Sequence, residues 1–124
     1  MENGKPNGQD ILSEKSYSFA LRIIKMYQYI SGEKKEFVLS KQVLRSGTSI
    51  GANIREAKQA ESKADFIHKL AIAHKESFET EYWLLLLRDS SLLSKAQADS
   101  LINDCCEMQK MLTSSIKTAK QRNR

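Results

Sequence analysis

Beyond residue 10 the chain contains no proline and only three glycines, Gly32, Gly47 and Gly51; Pro6, Gly4 and Gly8 are all confined to the opening segment. Proline removes a backbone donor and blocks a helix, and glycine is the usual residue where the chain reverses. An all-β domain needs such turn residues every 8–12 positions, roughly. This chain lacks them, so it is read as all-helical. Its 124 residues suffice for one core but not for two.

Apolar residues recur at spacings of three and four, the period of a helix with one buried face. Ala20, Ile23, Tyr27 and Ile30 mark a first helix, about 11–31, with Gly32 placed as its left-handed C-terminal cap. Leu39, Val43, Gly47, Ile50, Ile54 and Ala57 mark a second, about 37–60. Ser62 with Asp65 forms a capping-box pattern at the start of a third, about 63–89. Ser94 caps a fourth, about 95–118, along Ala98, Leu101, Cys105, Met108 and Leu112. Short connections make sequential helices antiparallel neighbours. The expected architecture is an up-down-up-down four-helix bundle over 11–116, preceded by a disordered segment 1–10 and followed by a basic tail 117–124.

The third helix is too apolar for a single bundle. One stripe runs through Phe66, Leu70, Ala73, Leu84 and Leu87, and a second through Ile67, Ala71, Phe78, Tyr82 and Leu85. The run Tyr82-Trp83-Leu84-Leu85-Leu86-Leu87 sweeps more than a full turn at 100° per residue. Some of these side chains must therefore point away from the core, where each forgoes about 1.5–3 kcal/mol of burial. Tyr82, Trp83, Leu86 and Leu87 are accordingly expected to form an interface between copies of the chain.

The segment Arg45-Ser46-Gly47-Thr48-Ser49-Ile50-Gly51-Ala52-Asn53 places two glycines four apart on one helix face. Close approach of another helix explains Gly47 and Gly51. A phosphate loop does not, since G-x-x-x-x-G-K-[ST] requires Lys after its second glycine and Ala52 stands there. Arg45, Asn53, Glu56 and Glu79 border the apolar stripes and are read as an interior polar network, because a buried carboxylate persists only with a partner.

Catalytic signatures are missing. Asp65-Phe66-Ile67-His68 is a single loose analogue of the Glu-x-x-His pair of di-iron bundles, and the residue three before His74 is Ala71. There is no H-E-x-x-H or G-x-S-x-G. No enzyme activity, cofactor, metal or small-molecule substrate is expected. The adjacent Cys105 and Cys106 have neither zinc nor redox spacing and are read as reduced thiols, Cys105 in the core. The opening residues lack a signal-peptide core, and six consecutive apolar residues fall far short of the roughly 20 that span a bilayer. A cytoplasmic protein with no membrane partner is expected.

Charge is uneven. The net charge is +5, and residues 117–124 supply +4 of it through Lys117, Lys120, Arg122 and Arg124 with no acid. The body is nearly neutral, whereas nucleic-acid readers usually carry a basic face on the folded part. RNA contact would depend on several such tails gathering.

Two stretches carry a family resemblance: Leu44 through Ala57, containing Ser49-Ile50-Gly51-Ala52-Asn53-Ile54-Arg55-Glu56, and Lys63 through Leu70, continued by Glu79-Thr80-Glu81-Tyr82-Trp83-Leu84. Over about residues 10–118 the chain resembles the bacterial 23S rRNA intervening-sequence proteins, many of which have Pro at the position of Gly51. The resemblance implies a four-helix protomer in a ring-like homopentamer, with no established reaction. A related branch, the accessory variability protein of diversity-generating retroelements, is similar to the same pentameric barrel and binds a reverse transcriptase and RNA. Three functional expectations follow: first a self-assembling scaffold or binding module for a protein or RNA partner, next an RNA-binding accessory using pooled C-terminal tails, and last an enzyme or ligand carrier built around Asn53, Glu56 and Glu79.

Overall fold

In a computed structural model, residues 8–122 are described, and among them there are four helices and no strand: α1 (Gly8–Glu33), α2 (Leu39–Ala57), α3 (Lys63–Asp89) and α4 (Lys95–Gln121). Of the expected disordered segment, residues 1–7 lie outside the described residues; Gly8–Asp10 form the first turn of α1.

The helix ends follow from where orphan backbone groups find partners. Gly32 is not a left-handed cap. The helical pattern runs through it, with Lys34 N still donating to Ile30 O at 3.1 Å, and the left-handed residue is Lys35 at φ 56°. Helix α2 begins two residues later than expected because the Glu36 carboxylate receives the amides of Val38, Leu39 and Ser40 at 2.8–3.0 Å. It closes at Ala57 instead of 60, since Lys58, Gln59 and Ala60 bond back only three residues, to Arg55, Glu56 and Ala57. At α3, Ser62 Oγ accepts from Asp65 N at 3.0 Å, but Asp65 receives the amide of Glu61 in place of that of Ser62. Ser94 and Gln97 complete a full capping box on α4, which extends past 118 to Gln121.

Contacts between neighbouring helices run in opposite order along each pair. Ser46 meets Thr80 while Glu56 meets Lys69, Arg88 meets Asp99 while His74 meets Thr113, and Lys15 meets Glu107 while Arg22 meets Asp104. Both α1 and α3 pack on α2 and α4, and their backbones do not approach each other. They occupy diagonal corners. Between the four helices lies a core of Leu12, Phe19, Ile23 and Ile30 from α1, Val43, Ile50 and Ile54 from α2, Leu70, Leu84 and Leu87 from α3, and Leu101, Cys105, Met108 and Leu112 from α4.

A polar seam crosses this core. Thr80 Oγ1 donates to Ser46 Oγ, Cys105 Sγ donates to Ser77 O at 3.1 Å, and Gln109 Nε2 reaches Ser77 O at 3.3 Å and Glu81 Oε1 at 2.9 Å. Each buried polar side chain of the seam thus has a partner, as a low-dielectric interior requires.

Candidate interaction surface

The core-facing line of α3 is Leu70, Ala73, Ser77, Thr80, Leu84 and Leu87, all buried. At 100° per residue, the direction opposite that line falls among Ala71, Lys75, Phe78, Tyr82 and Leu85. Phe78 is 51% exposed and Tyr82 is 56% exposed, with Ala71 exposed and Leu85 half-buried beside them. Two large aromatic side chains thus lie one turn apart on the outside of the bundle, a contiguous apolar patch of the kind that marks an interaction site. The His74 ring meets Phe78 edge-on at 5.0 Å, and its Nε2 lies 2.9 Å from Thr113 Oγ1.

The four residues expected at this surface divide. Tyr82 belongs to it and Leu86 is half-buried at its edge. Leu87 does not belong: it is 0% exposed, because its position on the helix turns it straight into the core. Trp83 leans toward α2, packs on the core and donates from Nε1 to Glu79 Oε2 at 3.0 Å. Phe78, noted in the second stripe, shares the outward face with Tyr82.

The expected interior network is a correction on two counts. Arg45 does pair with Glu79, and also with Glu76 at 3.5 Å, but the Arg45 side chain is half exposed, so this pair lies on the α2–α3 surface. Asn53 and Glu56 are not part of it. Asn53 Nδ2 donates within its own turn to Ser49 O at 2.9 Å, and Glu56 pairs with Lys69 at 2.9 Å. Lys69 and Glu79 are ten residues apart on α3, about 15 Å along the axis. Asn53, Glu56 and Glu79 therefore form no common site, and among the described residues no three His, Cys, Asp or Glu side chains gather as a metal set.

The two α2 glycines face α1. A Cβ at Gly47 would stand 2.9 Å from Ile23 Cγ1, and one at Gly51 would stand 3.2 Å from Ser16 Oγ. A hollow of about 220 Å³ opens beside Gly51, lined by Ser13, Ser16, Tyr17, Thr48 and Arg55. Helix α2 passes Gly51 without interruption.

Of the basic tail, Lys117 and Lys120 ride exposed on the last turns of α4 and Arg122 follows as its cap; Arg124 lies outside the described residues. Cys105 is enclosed, and burial, with Cys106 and Glu81 nearby, pushes its thiol up to about 12. Burial also raises Cys106, which is half exposed. Neither is poised as a thiolate nucleophile.

Sequence reasoning passed over two features. One is Glu36, whose signal was an acid three residues ahead of the first apolar position of α2. The other is an outward apolar row on α1, Tyr17, Leu21 and Ile24, 58%, 49% and 37% exposed; its i, i+4, i+7 spacing was present in the sequence.

Residues 9–114 match the family model described as 23S rRNA-intervening sequence protein. A crystal structure of a protein of unknown function from the S23 ribosomal protein family of Bacteroides thetaiotaomicron VPI-5482 is 54% identical, with a TM-score of 0.88, covering 90% of this chain and 99% of that one. No curated protein matches the chain.

Proposed function

The chain belongs to the 23S rRNA-intervening sequence protein family, and on that premise we propose that it is a non-enzymatic scaffold that assembles from copies of itself through the outer face of α3. The observation that carries this reading is the exposure of Phe78 and Tyr82 one turn apart, directly opposite the core-facing line of their helix. A monomer has no reason to hold that patch in water, since covering it gains about 1.5–3 kcal/mol per large side chain. The ring of five subunits comes from the resemblance of the Leu44–Ala57 and Lys63–Leu70 motifs, and the cytoplasm is the compartment we assign. No helix among the described residues is long and apolar enough to cross a membrane.

Light scattering on the purified chain tests the reading. We expect a mass several times 14.1 kDa, five times for the ring, and expect Phe78→Glu with Tyr82→Glu to return it to one copy with unchanged helix content. A wild-type mass of 14.1 kDa at every concentration overturns it.

A second reading, RNA binding, is favoured by one observation: Lys117, Lys120 and Arg122 are exposed together at the end of α4. Assembly would multiply that charge, and phosphate affinity grows with the number of contacts neutralised. Deleting 117–124 should abolish RNA retention in a gel shift and flatten its salt dependence; equal retention by the truncated chain removes the tail from this role.

A further inference from the structure

We infer that the hollow between α1 and α2 is a binding site for a small hydroxylated oxyanion, a phosphate ester or a carboxylate. Its anionic end meets Arg55 and Ser13, and its hydroxyls reach Ser16 and Thr48. This goes beyond the scaffold reading and does not rest on it. The hollow measures about 220 Å³, below the ~300 Å³ at which pockets for drug-sized ligands begin, so its occupant is a small molecule.

The space comes from what the two helices set opposite each other. Ser13, Ser16 and Tyr17 border it on α1, and Thr48, Gly51 and Arg55 border it on α2. Spacings of three and four keep each set on one helix face. Gly51 has no side chain to fill the gap, and a Cβ there would already stand 3.2 Å from Ser16 Oγ. Among the described residues no carboxylate lines the hollow.

One end of the hollow is short of partners. Ser13 Oγ is enclosed and has no hydrogen-bond partner among the described residues, whereas buried polar groups ordinarily have one. Arg55 is exposed, and its guanidinium makes no ion pair or hydrogen bond among the described residues. The two helices run in opposite directions, with Asp10 reaching Lys58 and Ser16 facing Gly51. Ser13, midway between Asp10 and Ser16, therefore stands level with Arg55. An uncommitted hydroxyl and an unpaired fork of N–H donors share one height, the combination that an oxyanion takes.

Deeper in, the hollow offers acceptors. Ser16 Oγ spends its one proton on Ser13 O at 3.1 Å, and Thr48 Oγ1 spends its own on Leu44 O at 2.7 Å. Only lone pairs remain to meet a ligand there, so the ligand must donate. Ser16 lies three residues from Ser13, about 4.5 Å along the axis, the reach of a three-carbon chain. An anion without hydroxyls would satisfy one end of the hollow, and a neutral polyol only the other.

Isothermal titration of the full chain with glycerol 3-phosphate, glycerate and glycerol is the test. Binding of at least one of the two anions is expected, the tighter of them identifying the head group, with glycerol much weaker. Arg55→Gln should weaken that binding about tenfold or more, the loss of a charge-assisted pair, and Ser13→Ala should weaken it measurably. Neither variant should lower the melting temperature, since Arg55 has no partner to lose and Ser13 Oγ none to leave behind. A merely structural role would show the reverse. No heat with either anion, glycerol binding as tightly as the anions, or undiminished binding in either variant overturns the inference. Light scattering on the same samples reports assembly separately, so a monomeric chain that binds the anion leaves this inference standing.

Discussion

Thr80 Oγ1 donates to Ser46 Oγ at 2.9 Å across the buried α2–α3 contact, and Thr80 also lies 2.8 Å from its own helix's Glu76 carbonyl. The two hydroxyls are therefore unequally provided for. With Ser46 replaced by Ala, Thr80 keeps Glu76, and the loss should be about 1 kcal/mol. With Thr80 replaced by Val, Ser46 is left buried without that partner, and the loss should reach about 1–3 kcal/mol. Urea denaturation of the two variants should rank them in that order, and the double variant should recover part of the Thr80→Val loss.

Glu36 caps α2 through three backbone amides. Burial opposes its charge, but the amides of Leu39, Ser40 and Val38 and the Ser40 hydroxyl together hold its carboxyl below the usual glutamate value. A folded-state value below the unfolded one means the stabilisation is complete above that ordinary value, 4.5, and fades as pH falls through the folded one. Glu36→Ala should lower stability at neutral pH by about 1–2 kcal/mol. As pH falls below 4.5 the variant and wild type should draw together in thermal melts.

Alanine at the two α2 glycines should behave differently. In a helix the exchange gains up to about 1 kcal/mol from backbone propensity. At Gly47 the new Cβ meets Ile23, which is fully buried and cannot withdraw, so overpacking of about 1–3 kcal/mol prevails. Gly47→Ala should therefore lower the melting temperature. At Gly51 the contacts are 3.2–3.4 Å from Ser16, and Gly51→Ala should leave stability within about 0.5 kcal/mol of wild type.

The adjacent cysteines should part under a thiol reagent at pH 8. Cys106 is half exposed and should react in the native state, whereas Cys105 should react only as the protein unfolds. The Cys105 thiol is raised from 9.0 to about 12, so the unfolded chain releases that proton first. Its contribution is whole below pH 9 and declines between 9 and about 12. Cys105→Ala should flatten this part of the alkaline unfolding curve.

Helix positions were legible because apolar residues at spacings of three and four lay between sparse breakers, and Ser62 and Ser94 announced two starts. Boundaries were less so. Gly32 looked like a cap because glycine tolerates left-handed backbone, yet the hydrogen-bond ladder ran on and Lys35 took that conformation. Periodicity separated the two stripes of α3, but a run apolar in every direction hides its own orientation. Leu87 and Trp83 therefore stood in for Phe78, and only the phase set by Leu70, Ala73 and Leu84 resolves them. Arg45, Asn53, Glu56 and Glu79 shared a border with the core, and proximity to a stripe did not tell which would meet across helices.

The seam of Ser46, Ser77, Thr80, Cys105 and Gln109 also governs how this chain can vary in length. Deleting one residue from α4 ahead of Gln109 would swing every later side chain by about 100° and take Gln109 away from Ser77 and Glu81. Insertions and deletions among descendants of this sequence should accordingly collect in the turns after Ala57 and after Asp89, with the helical interiors drifting in composition and not in residue number.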